Sequence, residues 1–489
     1  MSVSSMWASN TLLVGDSRIS HTAQYLATIS VTLGGLLMGT GIGYSSPAGP
    51  LLMSNSTEGG SLQLSEDQYN WFSSLMNLGA LVGGVLGGFS INRLGRRFTM
   101  LVSGPIYLTG WALIGFGQNF ATLVAGRMVV GACICATCVV VPTYVGEIAS
   151  PDIRGILGTS YQFMITLGML YVYTMGVFVT NWRWLAALSA VPAVPYFLSV
   201  IFIHESHTFL LAKGKLEQAT ASLQHFRGKH YDVQKEINMI QQSLEDAKNN
   251  KPSLKEFLRP HNLKPFVLCL IIFVSIQMSG LGPVLFNMSF IFKASGADLD
   301  DNVSTAIVGV VQILATALSC VLVDKAGRKL LLIVSAAAVS LSLLALAEYF
   351  YMEERNSEWT AKTLGWLPLT SLVIFIAAFS IGLGPVPWVL MGEMFSPRVK
   401  SITTGIINMA GWFASFVMTL TFLPLRDVLH DDGVYLLFAC VAFCILLVLF
   451  LALPETKGMT LQEITAYFGG PKFDSTRRDP SKKNDTENA

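Results

Sequence analysis

Charge is what this sequence has least of: 13% of its 489 residues are Asp, Glu, Lys or Arg, about half the ~25% of an ordinary soluble domain. That scarcity excludes a soluble enzyme of this length. The 32 basic and 31 acidic residues leave a net charge of +1, so nothing pulls the chain as a whole toward nucleic acid, and any electrostatic message lies in position. Cysteine and histidine are sparse as well, seven of each. Cys133, Cys135, Cys138, Cys269, Cys320, Cys440 and Cys444 all fall inside apolar runs, and the first three cannot share one helical face, which argues against a metal site. No His lies within an apolar run apart from His204 at the end of one, so neither a buried proton relay nor a haem ligand is indicated. With no nucleophile beside a base, no metal cluster and no phosphate loop, the chain reads as a non-enzyme with no cofactor and no metal.

What the sequence has in excess is apolar length. Hydrophobic residues make up 52% of it, and a helix crossing a bilayer needs ~20 in near succession. Charge-free apolar runs occupy residues 24–44, 71–91, 98–118, 121–145, 158–180, 183–203, 265–292, 305–323, 330–351, 367–391, 402–424 and 433–453, which predicts an all-α multi-pass membrane protein with twelve spans. The first run follows a polar tail without a small-residue cleavage site and reads as a span rather than a signal peptide. Placing the amino terminus in the cytoplasm puts 26 of the 32 basic residues on that side and five outside (Arg183, Lys293, Arg355, Lys362, Arg426), with Arg127 alone inside a span. That bias sets both termini in the cytoplasm. The sequons at Asn55 and Asn302 then face the exterior, as glycosylation requires, and the one at Asn484 does not.

The chain also repeats itself. Asn92-Arg93-Leu94-Gly95-Arg96-Arg97 after span 2 answers to Asp324-Lys325-Ala326-Gly327-Arg328-Lys329 after span 8, Glu147-x6-Arg154 after span 4 to Glu393-x6-Lys400 after span 10, and Glu205-Ser206 to Glu455-Thr456. Three paired signatures in the same order imply a duplication of six spans. The expected organisation is a cytoplasmic tail (1–23), a six-helix bundle (24–203), a cytoplasmic helical loop (204–264) docking under both bundles, a second bundle (265–453) and a cytoplasmic tail (454–489).

These motifs, with Gly126-Arg127-x3-Gly131, Gln162-x5-Gly168, Gln277-Met278-Ser279-Gly280, Pro385-Val386-Pro387-Trp388 and Pro454-Glu455-Thr456-Lys457-Gly458, resemble the sugar porters of the major facilitator superfamily. The resemblance runs from about Tyr25 to Phe468. Gly43-Tyr44-Ser45-Ser46-Pro47-Ala48 and the stretch Phe379 to Glu393 are similar to the insect facilitated trehalose transporters within that family. The resemblance implies a major facilitator fold and a sugar substrate. It also exposes departures: Ile276 stands where the family has the first of two Gln, Gly282 and Gly411 where it has Asn, and Gln312 where it has Asn. Each lost amide removes a hydrogen-bonding partner for a sugar hydroxyl, worth ~0.5–1.5 kcal/mol net.

The residues themselves support a sugar site at mid-depth. Gln277 lies ~20 Å from the cytoplasmic start of span 7 by helical rise, and Gln312 and Trp412 sit midway along their spans. Amides suit hydroxyl edges and an indole suits the apolar face of a sugar ring. The candidates are Gln162, Gln277, Gln312, Trp388 and Trp412, each of which could instead serve only helix packing. Gly280-Leu281-Gly282-Pro283 and Gly382 to Pro387 predict broken helices in spans 7 and 10, and the glycines of span 2 predict a close-packing face.

Two further expectations concern coupling and gating. Proton-coupled relatives carry an Asp on span 1 facing the span 4 Arg, and here Thr40 takes that place opposite Arg127, so no carboxylate is available to carry a proton. The cytoplasmic charges Arg93, Arg96, Arg97, Glu147 and Arg154 of one half and Asp324, Arg328, Glu393 and Lys400 of the other form the expected inner gate, pairing when the inner ends close. Asn92 and Lys400 replace a family Asp and Arg, which weakens that gate. The whole describes a plasma-membrane uniporter for trehalose or a hexose, working as a monomer in the lipid bilayer. A non-transporting sugar sensor or a proton symporter are the alternatives.

Overall fold

The computed structural model describes residues 20–54, 62–228, 231–249, 257–294, 300–395, 397–459 and 461–469, and all regular structure among them is helical. The first half contains span 1 (Thr22–Gly43, continued past Tyr44 as Ser45–Met53), span 2 (Glu66–Arg93), span 3 (Arg96–Gly115), span 4 (Phe120–Ile148), span 5 (Arg154–Phe178) and span 6 (Trp182–Ala190 and Ala193–Phe202). The second contains span 7 (Pro260–Met278 and Leu281–Ala294), span 8 (Asp301–Ala326), span 9 (Arg328–Arg355) and span 10 (Leu367–Ile381 and Val386–Met394). Spans 11 and 12 form one run, Pro397–Ala452, of 56 residues. At ~1.5 Å per residue that run is ~84 Å long, too much for a single crossing of a ~30 Å hydrocarbon core. It turns back at His430, whose φ of 58° breaks the helix. The apolar helices number eleven for this reason, and the crossings number twelve.

Local chemistry starts and stops these helices. Ser65 and Gln68 form a reciprocal capping box at the head of span 2, and Asn119 caps span 4. Spans 2 and 3 meet at Gly95 (φ 104°), and spans 8 and 9 at Gly327 (φ 90°). Both turns need a left-handed backbone, which glycine adopts without strain.

Spans 7 and 10 break where the sequence predicts. Gly280 takes φ 85°, and a Cβ there would collide with the Phe438 ring. In span 10 the freed backbone groups go to neighbouring helices: Ser319 Oγ donates to the Ile381 carbonyl at 2.7 Å, while Ser335 Oγ donates to the Ala378 carbonyl at 2.6 Å and accepts from the Leu383 amide at 3.1 Å. Such re-satisfaction makes a broken helix tolerable in lipid. Span 1 runs on through Tyr44 and span 6 through Val191-Pro192 with helical backbone angles at all three residues. The packing face of span 2 is confirmed for Gly79, Gly83 and Gly87, which meet the backbone of Met128, Ala132 and Ala136 on span 4, but a Cβ at Gly88 would meet nothing within 4 Å.

The cytoplasmic loop holds helices His207–Ala212, Leu216–Arg227 and Val233–Asn249 around their own small core of Leu210, Leu211, Ala219, Leu223, Val233 and Ile237. Its anchors reach the first half. Arg227 Nη1 donates to the Ile148 carbonyl at 2.7 Å, and Gln24 Nε2 donates to the Phe226 carbonyl at 2.9 Å. The Arg227 guanidinium also forms a buried ion pair with Glu236 at 2.7 Å. Among the described residues these bonds fasten the loop to the first bundle.

Candidate functional site

Most of the bonds that join the two halves lie toward the end of the bundle where span 2 begins. Tyr69 Oη stands 2.8 Å from the Ser45 carbonyl and 3.0 Å from that of Phe286, and Ser46 Oγ is 3.0 Å from Ser289 Oγ. Asn70 Nδ2 donates to the Leu420 carbonyl at 2.6 Å, Asn77 Nδ2 to Thr419 Oγ1 at 3.3 Å, and Arg426 pairs with Glu66 at 3.3 Å. Glu66, Tyr69, Asn70 and Asn77 share one face of span 2, so a single helix supplies four of these contacts. Toward the opposite end of the bundle, Cβ atoms at Gly146, Gly155, Gly158 and Gly405 would meet nothing within 4 Å.

The cytoplasmic charges follow the division into halves. Arg96 pairs with Glu147 at 2.6 Å and Arg328 with Glu393 at 2.9 Å, each within its own half. The pairing pattern is duplicated atom for atom. Arg96 and Arg328 also donate to the carbonyls of Ile91 and Val323, and Ser206 and Thr456 hydroxyls reach Glu147 and Glu393. The other expected gate residues bond locally. Arg97 donates to the Ile201 carbonyl, Arg154 to that of Ala149 at 3.1 Å and Lys400 to that of Gly392 at 2.9 Å, while Arg93 lies over the Phe89 ring at 5.0 Å. Asn92 bonds back to the Gly88 carbonyl at 2.9 Å. The Asp324 side chain lies outside the described residues. Among the described residues, then, the expected cross-half pairs are not formed.

Two carboxylates that served only as end markers in the sequence have a structural task. Glu205 accepts from the Arg96 and Arg97 amides at 3.1 to 3.2 Å, and Glu455 from the Arg328 and Lys329 amides at 2.9 and 3.0 Å. Each places a negative charge on the unsatisfied N–H groups that open a helix, spans 3 and 9. Burial raises the Glu455 carboxyl, but four backbone N–H donors outweigh it and hold the group below its ordinary value.

At mid-depth the candidates divide into two groups. Trp388, 42% exposed, meets Phe273 edge to face at 5.2 Å, and the nearest atom to a Cβ on Gly411 is Phe273 Cδ1 at 3.8 Å. Spans 7, 10 and 11 therefore converge there. Trp412 is half-buried on span 11, four residues after Asn408, whose amide donates to the Cys135 thiol of span 4 at 4.0 Å. Gln162 and Gln277 are half-buried, and their side chains have no hydrogen-bond partner among the described residues. Gln312 is 4% exposed, with Oε1 unpartnered. Amides left unbonded between helices are costly unless something else bonds them. Asn77 escaped the sequence reading, although a lone Asn inside an apolar span was there to be seen.

Arg127 is fully buried. Its Nη1 donates to the Gly41 carbonyl at 2.9 Å, its Nη2 reaches Ser45 Oγ, and the guanidinium lies over Phe72 at 4.9 Å and Tyr44 at 5.7 Å. No carboxylate is paired with it among the described residues. Thr40 turns away and donates to the Leu37 carbonyl of its own helix at 2.8 Å. Arg127 thus fastens span 4 to span 1 through the Gly41 carbonyl and the Ser45 hydroxyl. Of the sequons, Asn55 lies outside the described residues, and Asn302 sits in the first turn of span 8 with Ser304 buried.

Twelve crossings in two related halves, joined by a seam of polar bonds, define a membrane protein of the major facilitator type. The chain belongs to the sugar transporter family: the pattern described as "Sugar (and other) transporter" matches residues 27–468. It is 33% identical to the facilitated trehalose transporter Tret1 of Apis mellifera ligustica over 460 residues, 94% of this chain and 90% of that protein. It is 36% identical to the facilitated trehalose transporter Tret1-1 of Drosophila sechellia over 443 residues, 90% of this chain. The chain spans about half the length of that fly relative, 51%. Among solved structures it is similar to the xylose transporter XylE of E. coli in a partially occluded inward-open conformation, with a TM-score of 0.75 and 26% identity over 90% of this chain and 100% of that one. A proton:xylose symporter structure of XylE bound to 6-bromo-6-deoxy-D-glucose matches equally, with a TM-score of 0.75 and 26% identity over 91% and 99% of the two chains.

Proposed function

We propose that this protein carries a neutral sugar, trehalose or a hexose, down its gradient by alternating access, as a monomer in the plasma membrane with both termini in the cytoplasm. The observation that carries the reading is a seam of polar bonds between the halves together with unbonded amides and two indoles at mid-depth, which we read as a cleft facing the cytoplasm. Gln162, Gln277 and Gln312 would bond the sugar hydroxyls, and Trp388 and Trp412 would cover its apolar face. Closing the inner ends around the sugar would bring Glu147, Arg154, Arg96 and Arg97 toward Glu393, Lys400 and Arg328, while the exterior seam parts. Relatives named for trehalose transport support the substrate class.

Flux without a proton is part of the same reading. Arg127 is bonded to carbonyl and hydroxyl oxygens, and Thr40 cannot titrate, so the first half has no carboxylate facing that guanidinium to exchange a proton during the cycle. Uptake of labelled trehalose and of labelled glucose into oocytes, with the proton gradient collapsed, tests both parts. Uptake that survives the collapse supports a uniporter; uptake that disappears makes the protein a symporter. No uptake of any sugar, with the protein at the surface, makes it a sensor.

A further inference from the structure

One amide at the top of the cleft is not explained by packing. Asn77 on span 2 is 1% exposed; its Nδ2 donates to Thr419 Oγ1 at 3.3 Å across the two halves, and its Oδ1 has no partner. Thr419 spends its own proton on the Ser415 carbonyl at 2.8 Å and is free only to accept. An amide joining membrane helices through its donor accounts for the Thr419 bond, but packing does not account for the buried acceptor it leaves empty. Asn77 keeps one acceptor in reserve.

Its surroundings belong to the candidate site. Asn408, Trp412, Ser415 and Thr419 follow one another on span 11 at spacings of four, three and four residues, and so lie along one helical face. The indole that would cover the sugar is thus two turns below the hydroxyl that holds Asn77. Of the bonds joining span 2 to span 11, Asn77–Thr419 lies deepest along span 2, beyond Glu66–Arg426 and Asn70–Leu420. Gly282 on span 7 faces the same place. A Cβ there would stand 2.9 Å from Thr419 Oγ1 and 3.4 Å from Ser415 Oγ. Hydroxyls of span 11 occupy the space a side chain at 282 would fill, and the polar group absent from span 7 is supplied here by spans 2 and 11.

We propose that Asn77 is a specificity-determining sugar contact: its Oδ1 accepts one hydroxyl of the sugar while Nδ2 stays on Thr419, so that the sugar is held at the seam the exterior must open. This rests on the sugar-transport reading above. Such a contact reads a hydroxyl, and its loss is felt only by sugars that carry it.

The test is uptake of labelled trehalose or glucose by the full chain in oocytes, with surface protein quantified, and competition by the set of mono-deoxy analogues of whichever sugar is carried. In the unmodified chain one deoxy analogue should compete about three- to tenfold more weakly than its parent, the worth of one net hydrogen bond. Asn77→Leu should raise KM by a similar factor and abolish the penalty for that analogue alone. Thr419→Val, which removes the bond to Nδ2 but leaves Oδ1, should retain the penalty. Should Asn77→Leu fail to reach the surface, Asn77→Ser is read in its place. An unchanged ranking of all analogues in the Asn77 variant overturns the proposal, even if Vmax falls. Absence of sugar uptake and competition in the unmodified chain would instead overturn the transport reading.

Discussion

Glu66 Oε2 and Arg426 Nη2 stand 3.3 Å apart, 360 residues distant in sequence and on opposite halves of the molecule. Both are partly exposed, which limits the pair to ~0–1 kcal/mol. Arg426 has other company: it borders an open cleft of ≈ 560 Å³ lined by Glu353, Glu354, Asp427, Asp431 and Asp432 of its own half. When the exterior opens, the guanidinium can pass from Glu66 to these acids without being stranded.

Glu66→Gln should therefore leave the fold intact and shift the population toward the outward-open form by up to about fivefold, the equivalent of ~1 kcal/mol. Labelling of single cysteines placed along the exterior seam measures it. The swap Glu66→Arg with Arg426→Glu should restore the original labelling. Identical labelling in all three proteins would exclude the pair as a latch.

The carboxylates that head spans 3 and 9 should matter for stability and matter alike. Glu205→Ala and Glu455→Ala each leave backbone N–H groups unbonded, at a cost of ~1–3 kcal/mol. The two sites are far apart, so their effects should add. Thermal unfolding of the purified protein in detergent checks both statements. Because the backbone donors hold Glu455 below its ordinary value, its contribution is present above the unfolded pKa and lost as the pH falls through the folded one.

His207 predicts a second acid effect. Burial, then the nearby Arg227, push its imidazole down to about 4, with Glu236 pulling the other way. A lowered histidine pKa means that the unfolded chain takes up the proton first. Stability is therefore full above ~6.5 and declines toward pH 4, by ~2 kcal/mol at pH 5. His207→Phe should remove most of this decline between pH 7.5 and 5. A melting temperature that falls equally in both proteins would assign the effect elsewhere.

A proton gradient should not concentrate the sugar. With the exterior at pH 5.5 and the interior at 7.5, labelled sugar in proteoliposomes should level off at equal concentrations on the two sides. Accumulation above that level would require a titrating carboxylate that neither Thr40 nor the surroundings of Arg127 supplies.

Much of this architecture is legible in one dimension. Span positions follow from local apolar content, because the transfer of each helix into lipid depends on its own residues. The breaks in spans 7 and 10 follow from Gly and Pro, which weaken a helix wherever they stand. The join of spans 11 and 12 is different: one 56-residue helical run is interrupted by the backbone of a single residue, His430, and no Gly or Pro signal sits at that residue. The cytoplasmic charges are legible as a set but not their partners: pairing across the halves is the expectation, yet Glu147 bonds Arg96 of its own half, 51 residues away, while Arg154 bonds a backbone carbonyl.

The sequence by itself determined that the chain crosses the membrane twelve times in two related halves, for desolvation is summed residue by residue and duplication leaves its mark on the string. Only the tertiary structure decided which polar groups meet. Arg127 found Gly41 and Ser45 in place of Thr40, Glu66 found Arg426, and Asn77 found Thr419 while keeping one acceptor empty. A hydrogen bond is short and directional, and two groups hundreds of residues apart come within its range only once the helices have packed.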